Sequence, residues 1–331
     1  MPDRILTQRE LNRATLARQL LLERKKLSPL AVIERLAGMQ AQWAPAPYVG
    51  LWARVEGFRR ETLERALLRG DVLKPTVMRG TLHLVTRRDY AAFWTAFREL
   101  HVGYGPSSLE RGLTLLAEAR SRAPLTQKEA YAWIGEPNAK HVFRAIKRRG
   151  HLLHAPETAL WKPTASLLFH AAPEPEQREY DRALTEVVHR YLRAFGPATR
   201  KDINAWSLLP MGWFAHALDG LPTFRDEEGR ILYDVPRAPL PRADTRAPVR
   251  LLPKWDNAIL GFEKSRRLLP AELRKIVIRN NGEVAPTVLV DGSVAGIWQT
   301  DGTVEYLRGV TRTQKAEVAD EARRLSAWLA S

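Results

Sequence analysis

The chain has 331 residues, 45% of them hydrophobic, enough for two or three compact domains and incompatible with global disorder. Lys and Arg number 52 against 37 acids, and the formal charge of +15 points to a polyanionic partner. Cysteine is absent, which excludes disulfides, thiolate nucleophiles and cysteine-ligated zinc or iron–sulfur centres; residues 1–10 carry no apolar signal core and no run of about 18 apolar residues occurs, so a cytoplasmic protein without a membrane partner is expected.

Thr7 to Glu10 reads as a capping box, in which the threonine oxygen caps free N–H groups and the acid reaches back. Leu11, Leu16, Leu20 and Leu21 follow at helical spacing and predict a helix over 8–23. Ser28 as cap and Pro29 at the first helical position start a second helix through Met39, with Leu30, Ile33, Leu36 and Ala37 on its buried side. A third helix covers Arg60 to Arg69 and stops at Gly70. Val72 to Met78 and Thr81 to Thr86 read as two strands around Arg79-Gly80, a first wing, before an aromatic helix with Phe93, Trp94 and Phe97.

A frame then occurs twice. Pro124, Thr126, Lys128, Glu129, Ala132 and Trp133 align with Pro197, Thr199, Lys201, Asp202, Ala205 and Trp206. Each copy opens a capped helix, so the two tryptophans are expected in cores. A second helical stretch follows each copy, Asn138 to Arg149 and Met211 to Leu218, and then a pair of extended segments. His151 to His154 supplies one wing strand, and Thr223 to Val235 forms a hairpin turning at Asp226-Gly229. Pro173 to Glu176 reads as a connector, and residues 236–248, with four prolines, as an extended linker. Val288 to Trp298 then predicts two strands around an Asp291-Gly292 turn, and Thr313 to Leu329 a final helix.

Helix, turn, helix, hairpin is the winged-helix order. The expected fold is therefore mixed α/β and rich in helix. Three tandem winged-helix units, residues 1–105, 106–172 and 173–248 including the linker, surround a concave basic surface, and residues 249–331 add a β-rich element closed by a helix.

Two glutamines, Gln40 and Gln42, flank one small residue beside Trp43 and prolines. If the second helix loosens there, both amides face one cavity and can orient a water, although neither accepts a proton near neutral pH. A solvated polar pair at a helix end is the alternative reading. Among candidate DNA contacts, Arg79 sits at the first wing tip and His83 on its strand, where a structural histidine is the alternative; Trp43 is placed for stacking. Lys140, Arg144, Lys147 and Arg148 line a basic helix, while Lys254, Asp256, Lys264, Arg266 and Arg267 form a charged cluster. His151 and His154 have no third ligand nearby, so no metal is expected.

Residues Leu6 to Tyr90, with Met39-Gln40-Ala41-Gln42 and Arg79-Gly80-Thr81-Leu82-His83-Leu84-Val85, resemble the winged-helix DNA-binding family that includes the AlkZ-like bacterial DNA glycosylases. Leu252 to Asn257 and Pro286 to Gly292 extend the resemblance over nearly the whole chain. It implies that Gln40 and Gln42 position the water attacking the anomeric carbon of an N7-alkylated purine nucleotide, with no cofactor. A related branch carries an acid at the second position, so Gln42 implies the branch acting on bulky or crosslinked adducts. Glu263-Lys264-Ser265-Arg266 departs from the Asp-Arg-Ser-Arg of many relatives. The reading that follows is a monomeric, nucleoid-associated DNA glycosylase of base excision repair, acting on damaged double-stranded DNA. The competing reading is a non-enzymatic winged-helix DNA-binding protein or transcriptional regulator.

Overall fold

The computed structural model describes residues 4–101, 124–135, 139–148, 152–173, 176–263 and 267–331. It is a mixed α/β assembly in which short helices alternate with small sheets. Strands β1 (Ile5–Leu6), β8 (Thr223–Asp226) and β9 (Ile231–Tyr233) form one three-stranded sheet, ordered β1-β8-β9. A second, ordered β2-β4-β3, joins β2 (Met39–Gln40), β4 (His83–Thr86) and β3 (Val72–Leu73). A third, ordered β5-β7-β6, joins β5 (Leu125–Thr126), β7 (Leu168–Ala171) and β6 (Leu152–His154). The C-terminal sheet runs β10 (Arg250–Leu252), β11 (Thr287–Val290), β12 (Ser293–Trp298) and β13 (Val304–Tyr306), antiparallel throughout.

Local chemistry explains the helix starts. Reciprocal capping boxes form at Thr7 with Glu10, Thr126 with Glu129, Thr199 with Asp202 and Thr311 with Gln314. The first helix, Gln8–Arg18, ends before residue 23 because Leu20 takes a left-handed conformation at φ 57°. The Met211 to Leu218 stretch yields only a 3₁₀ turn over Ala215–Leu218, since Pro210 and the open backbone around it precede a segment too short for a stable helix.

The first wing is a hairpin around Arg79-Gly80 as expected, but an interrupted one. Pro75, which has no N–H to give a ladder, ends β3 after two residues; the segments pair again where Thr76 faces Leu82 and the Val77 N–H donates to the Thr81 carbonyl at 3.1 Å, and the chain turns through left-handed Arg79 and Gly80, at φ 55° and 66°. The strand completing that sheet is β2, and it comes from the helix end carrying the glutamines. The preceding helix spans only Pro29–Arg35. Ala37 at φ 56° and Gly38 at φ 90° then reverse the chain into β2. A side chain at Gly38 would meet the Leu84 carbonyl and the Met78 and Val85 side chains at 3.3 Å, so glycine is required for space as well as conformation.

The cores cross the expected units. One hydrophobic cluster joins Leu16 through Leu84 with residues of the C-terminal sheet and with Val318, Ala322 and Leu325 of the last helix, Arg312–Ala330. Another packs the aromatic helix Arg87–Phe97 on the long helix Tyr180–Phe195 and on Trp206, which is fully buried as expected of the repeat. The β5-β7-β6 unit has a separate core around Val142, Phe143, Ile146 and Phe169, with half-buried Trp133 against it. The first helix is fixed to the end of β9 by Arg18, whose guanidinium pairs with Asp234 at 2.7 and 2.8 Å, both side chains buried. The tip of the β11–β12 hairpin, at Asp291-Gly292, presses on that same helix, where the Asn12 amide donates to the Gly292 carbonyl at 2.8 Å. Residues 236–249 run without regular structure between these bodies.

Removing one member of a buried ion pair strands the other charge. Asp234→Ala should lower the unfolding free energy by about 3–5 kcal/mol in urea titrations, and a change below about 1 kcal/mol would show that Arg18 finds other compensation.

Candidate active site

Gln40 ends β2, and its register partner across the antiparallel ladder is His83 of β4. Directly opposed residues share a sheet face, so the two side chains lie side by side. The extended chain continues past the strand: the Ala41 N–H donates to the Leu82 carbonyl at 2.8 Å. The backbone bends at Gln42, whose side chain turns back onto the chain just before β4. Gln40 is buried and Gln42 exposed.

Both carboxamides are oriented through their oxygens. Arg79 Nη2 donates to Gln40 Oε1 at 2.8 Å, and the Leu82 backbone N–H donates to Gln42 Oε1 at 3.1 Å. Each oxygen keeps a second lone pair, and each amide two N–H donors. Arg79 is itself held, since its Nη1 donates to the Trp206 carbonyl at 2.7 Å and its backbone is left-handed at φ 55°. Burial lowers its pKa to about 10, which leaves it a cation at neutral pH.

The C-terminal element secures the backbone beneath. Asn257 Oδ1 accepts the Gln40 N–H at 3.1 Å, and Asn257 Nδ2 donates to the Gly38 carbonyl at 2.6 Å. Asp256, its neighbour, caps the short helix Asn257–Leu260 through the Ala258 N–H and pairs with Arg54 through two contacts of 2.8 Å, both side chains buried. Sequence reasoning named the charged residues of this segment and passed over Asn257. An Asp-Asn pair before Ala-Ile-Leu is a helix-start signal, and it would have drawn attention to both side chains.

Several expected DNA contacts are corrected. Arg79 does not project from a wing tip, because its guanidinium turns inward onto Gln40 and Trp206. His83 is fully buried; its Nδ1 bonds the Thr81 carbonyl, so Nδ1 carries the proton and Nε2, without a partner, is a lone-pair acceptor. Asp256 is the buried partner of Arg54. Arg267 is buried over the Phe262 ring and donates to the Pro197 carbonyl. Lys147 lies over the Phe143 and Phe169 rings at 5.2 and 5.3 Å, at the edge of a core. Lys140 and Arg144, one turn apart on the helix Ala139–Arg148, are exposed. Lys254 is partly exposed and pairs with Glu283 at 2.8 Å. Trp43 is half-buried and lines a cleft of about 430 Å³ with Lys254. Lys264, Arg266 and the side chain of Arg148 lie outside the described residues. Among the described residues no group of three or more His, Asp or Glu side chains is placed to hold a metal ion.

The arrangement is thus a pair of oriented, neutral amides on a strand edge, backed by an arginine and locked from the C-terminal side. A profile of the family described as DNA glycosylase AlkZ-like matches residues 33–328, most of the chain including every element of this site. The chain belongs to the AlkZ-like DNA glycosylase family. Its reaction is accordingly hydrolysis of an N-glycosidic bond in DNA, and the purely regulatory reading falls away. It is 27% identical over 323 residues to the interstrand DNA cross-link repair glycosylase of Streptomyces sahachiroi, covering 85% of each chain. The solved structure of the Streptomyces sahachiroi DNA glycosylase AlkZ has the same fold, with a TM-score of 0.78, 23% identity and 96% and 97% of the two chains covered.

His83, opposite Gln40, and His154, on β6, make the fold sensitive to acid. Burial, with Arg79 beside the first and Lys74 and Lys147 beside the second, pushes both imidazoles down to about 3, against roughly 6.5 in an unfolded chain. Each therefore stays neutral when folded and takes up a proton on unfolding. Their stabilisation is complete above about pH 6.5 and is lost as pH falls towards 3. His83→Asn should reduce the slope of unfolding free energy against pH, measured in urea between pH 6 and 5, by about 1.4 kcal/mol per pH unit. An unchanged slope would mean that His83 is charged in the folded protein.

Proposed function

We propose that this DNA glycosylase excises cationic N7-alkylpurines from duplex DNA and that Gln40 and Gln42 place the attacking water. The observation that carries the reading is that both amide oxygens, two residues apart at the end of β2, each accept one hydrogen bond from the segment Arg79 to Leu82 that leads into β4. Their remaining lone pairs can accept the two hydrogens of one water, which turns a water lone pair towards an anomeric carbon.

The chemistry suits residues that cannot take a proton. An alkyl group at purine N7 makes the base a cation, so the C1′–N9 bond breaks with its electron pair leaving on the base, which departs as neutral 7-alkylpurine. The sugar carries the positive charge transiently. The water oxygen then bonds to C1′, and its proton passes to solvent. Neutral amides suffice for this path, because the cationic base is already a good leaving group and the water needs orientation more than deprotonation. Arg79 and Asn257 act as positioning residues, one on the Gln40 amide and the other on the backbone that bears it.

The relative named for cross-link repair supports bulky or crosslinked N7-alkylguanine as the lesion class. In this reading the three helix-and-sheet units serve as winged helices on a concave basic surface that takes double-stranded DNA, with exposed Lys140 and Arg144 facing phosphate, and the protein works as a monomer in the nucleoid without a cofactor.

Duplex containing 7-methylguanine, incubated with the protein and then treated with alkali, should break at the lesion. Gln40→Ala and Gln42→Ala should each slow single-turnover base release by about a hundredfold, with duplex affinity within about threefold of wild type. Undiminished release by the double variant would overturn the assignment of the water site.

A further inference from the structure

Immediately beyond Gln42 the chain enters a cleft that the hydrolysis does not use. Trp43 lines it together with Ala285, Ile297 and Trp298 of the C-terminal sheet region, around a volume of about 430 Å³. This lies in the size range of small-molecule sites. Trp298 is almost fully buried, its indole N–H donating to the Leu252 carbonyl at 2.7 Å, so half-buried Trp43, Ala285 and Ile297 supply most of the apolar surface of the cleft. Lys254 lines this cleft and also the small void beside Gln40 and Asn257, so the cleft and the glutamine strand share a wall.

The charges in the cleft decide what enters it. Glu283 pairs with Lys254 at 2.8 Å and with Arg279 at 3.5 Å, an anion between two cations. Hydrogen bonding from Lys254 and the charges of Lys254 and Arg279 hold the Glu283 carboxyl below its ordinary range, so it is ionised at neutral pH. The surplus is positive, which disfavours a cationic purine ring here. A neutral, flat apolar group meets no such penalty and gains stacking against Trp43.

We propose that the Trp43–Trp298 cleft binds the N7 substituent of the lesion, as distinct from the purine, and that it selects aromatic or otherwise bulky apolar adducts over methyl. This rests on the assignment of Gln40 and Gln42 to the water site. The substituent adds binding next to the reacting bond and leaves the leaving group's chemistry unchanged, so selection is read as a ratio of rates on two lesions with the same base.

The test uses duplexes differing only in 7-benzylguanine or 7-methylguanine, with wild type, Ala285→Trp, which fills the cleft, and Gln299→Trp, which narrows it from an exposed position lining the same cleft and leaves the core intact. The benzyl-to-methyl ratio of single-turnover rates should fall by about tenfold in both variants. A ratio within twofold of wild type in both would overturn the cleft assignment while leaving the glycosylase reading intact. Wild type that releases neither base, or Gln40→Ala that releases both at the full rate, would instead sink the water-site reading, and the cleft proposal with it.

Discussion

One asparagine side chain joins two parts of the chain separated by 217 residues. Asn257 accepts from the backbone of Gln40 with its oxygen and donates to the carbonyl of Gly38 with its nitrogen, so its amide substitutes for the neighbouring strand that β2 lacks on that edge. A two-residue strand has almost no stability of its own. Its position is instead over-determined: β4 holds one edge, Asn257 the other, and the left-handed turn at Ala37 and Gly38 fixes its direction of entry. The Arg54–Asp256 pair anchors the residue before Asn257, so the amide cannot drift without exposing a desolvated ion pair.

This explains why the first unit and the C-terminal element share one core. If the glutamines sat on an independent domain, their edge strand would need a longer ladder to hold it. Here Leu252, Leu289 and Val294 pack in the same cluster as Leu36, Met39 and Val49, and hydrophobic burial keeps Asn257 within bonding distance. Arg79 supplies the third restraint, from the turn before β4, and its anchor on Trp206 connects the site to the helix Arg200–Ser207. Orientation of two neutral amides thus depends on packing among segments that are remote in sequence.

That remoteness sets what could be read in advance. Helix starts were legible because capping is local: a threonine and an acid three residues later contain the whole signal, as Thr7, Thr126 and Thr199 show. The Asp291-Gly292 hairpin was legible for the same reason. The strand bearing Gln40 was not, because two residues show no alternation and the partner begins 43 residues later at His83. The glutamines drew notice by composition, yet the sequence suggested a loosening helix where the chain forms a strand. Charge misled at Asp256, Arg79 and Arg267, since a formal charge in a sequence carries no record of whether its partner is solvent, a carboxylate or a carbonyl.

Those buried ions bear on how the net charge of +15 should be understood. Arg18 with Asp234 and Arg54 with Asp256 withdraw equal numbers of each sign from the surface, so they leave the surplus unchanged. Arg79 and Arg267 are turned onto carbonyl and amide oxygens, and Lys74 is buried with its ammonium on the Thr158 carbonyl and its pKa lowered to about 8. Among the described residues only such cations, held without a carboxylate, subtract from the outward field, and they are few. Charge that stays in solvent draws phosphate and weakens with salt. The half-buried arginine beside Gln40 is placed differently: its guanidinium is spent on the Gln40 amide and the Trp206 carbonyl. The same residue type thus stands in solvent at the surface and in fixed hydrogen bonds within, and its partners separate the two settings.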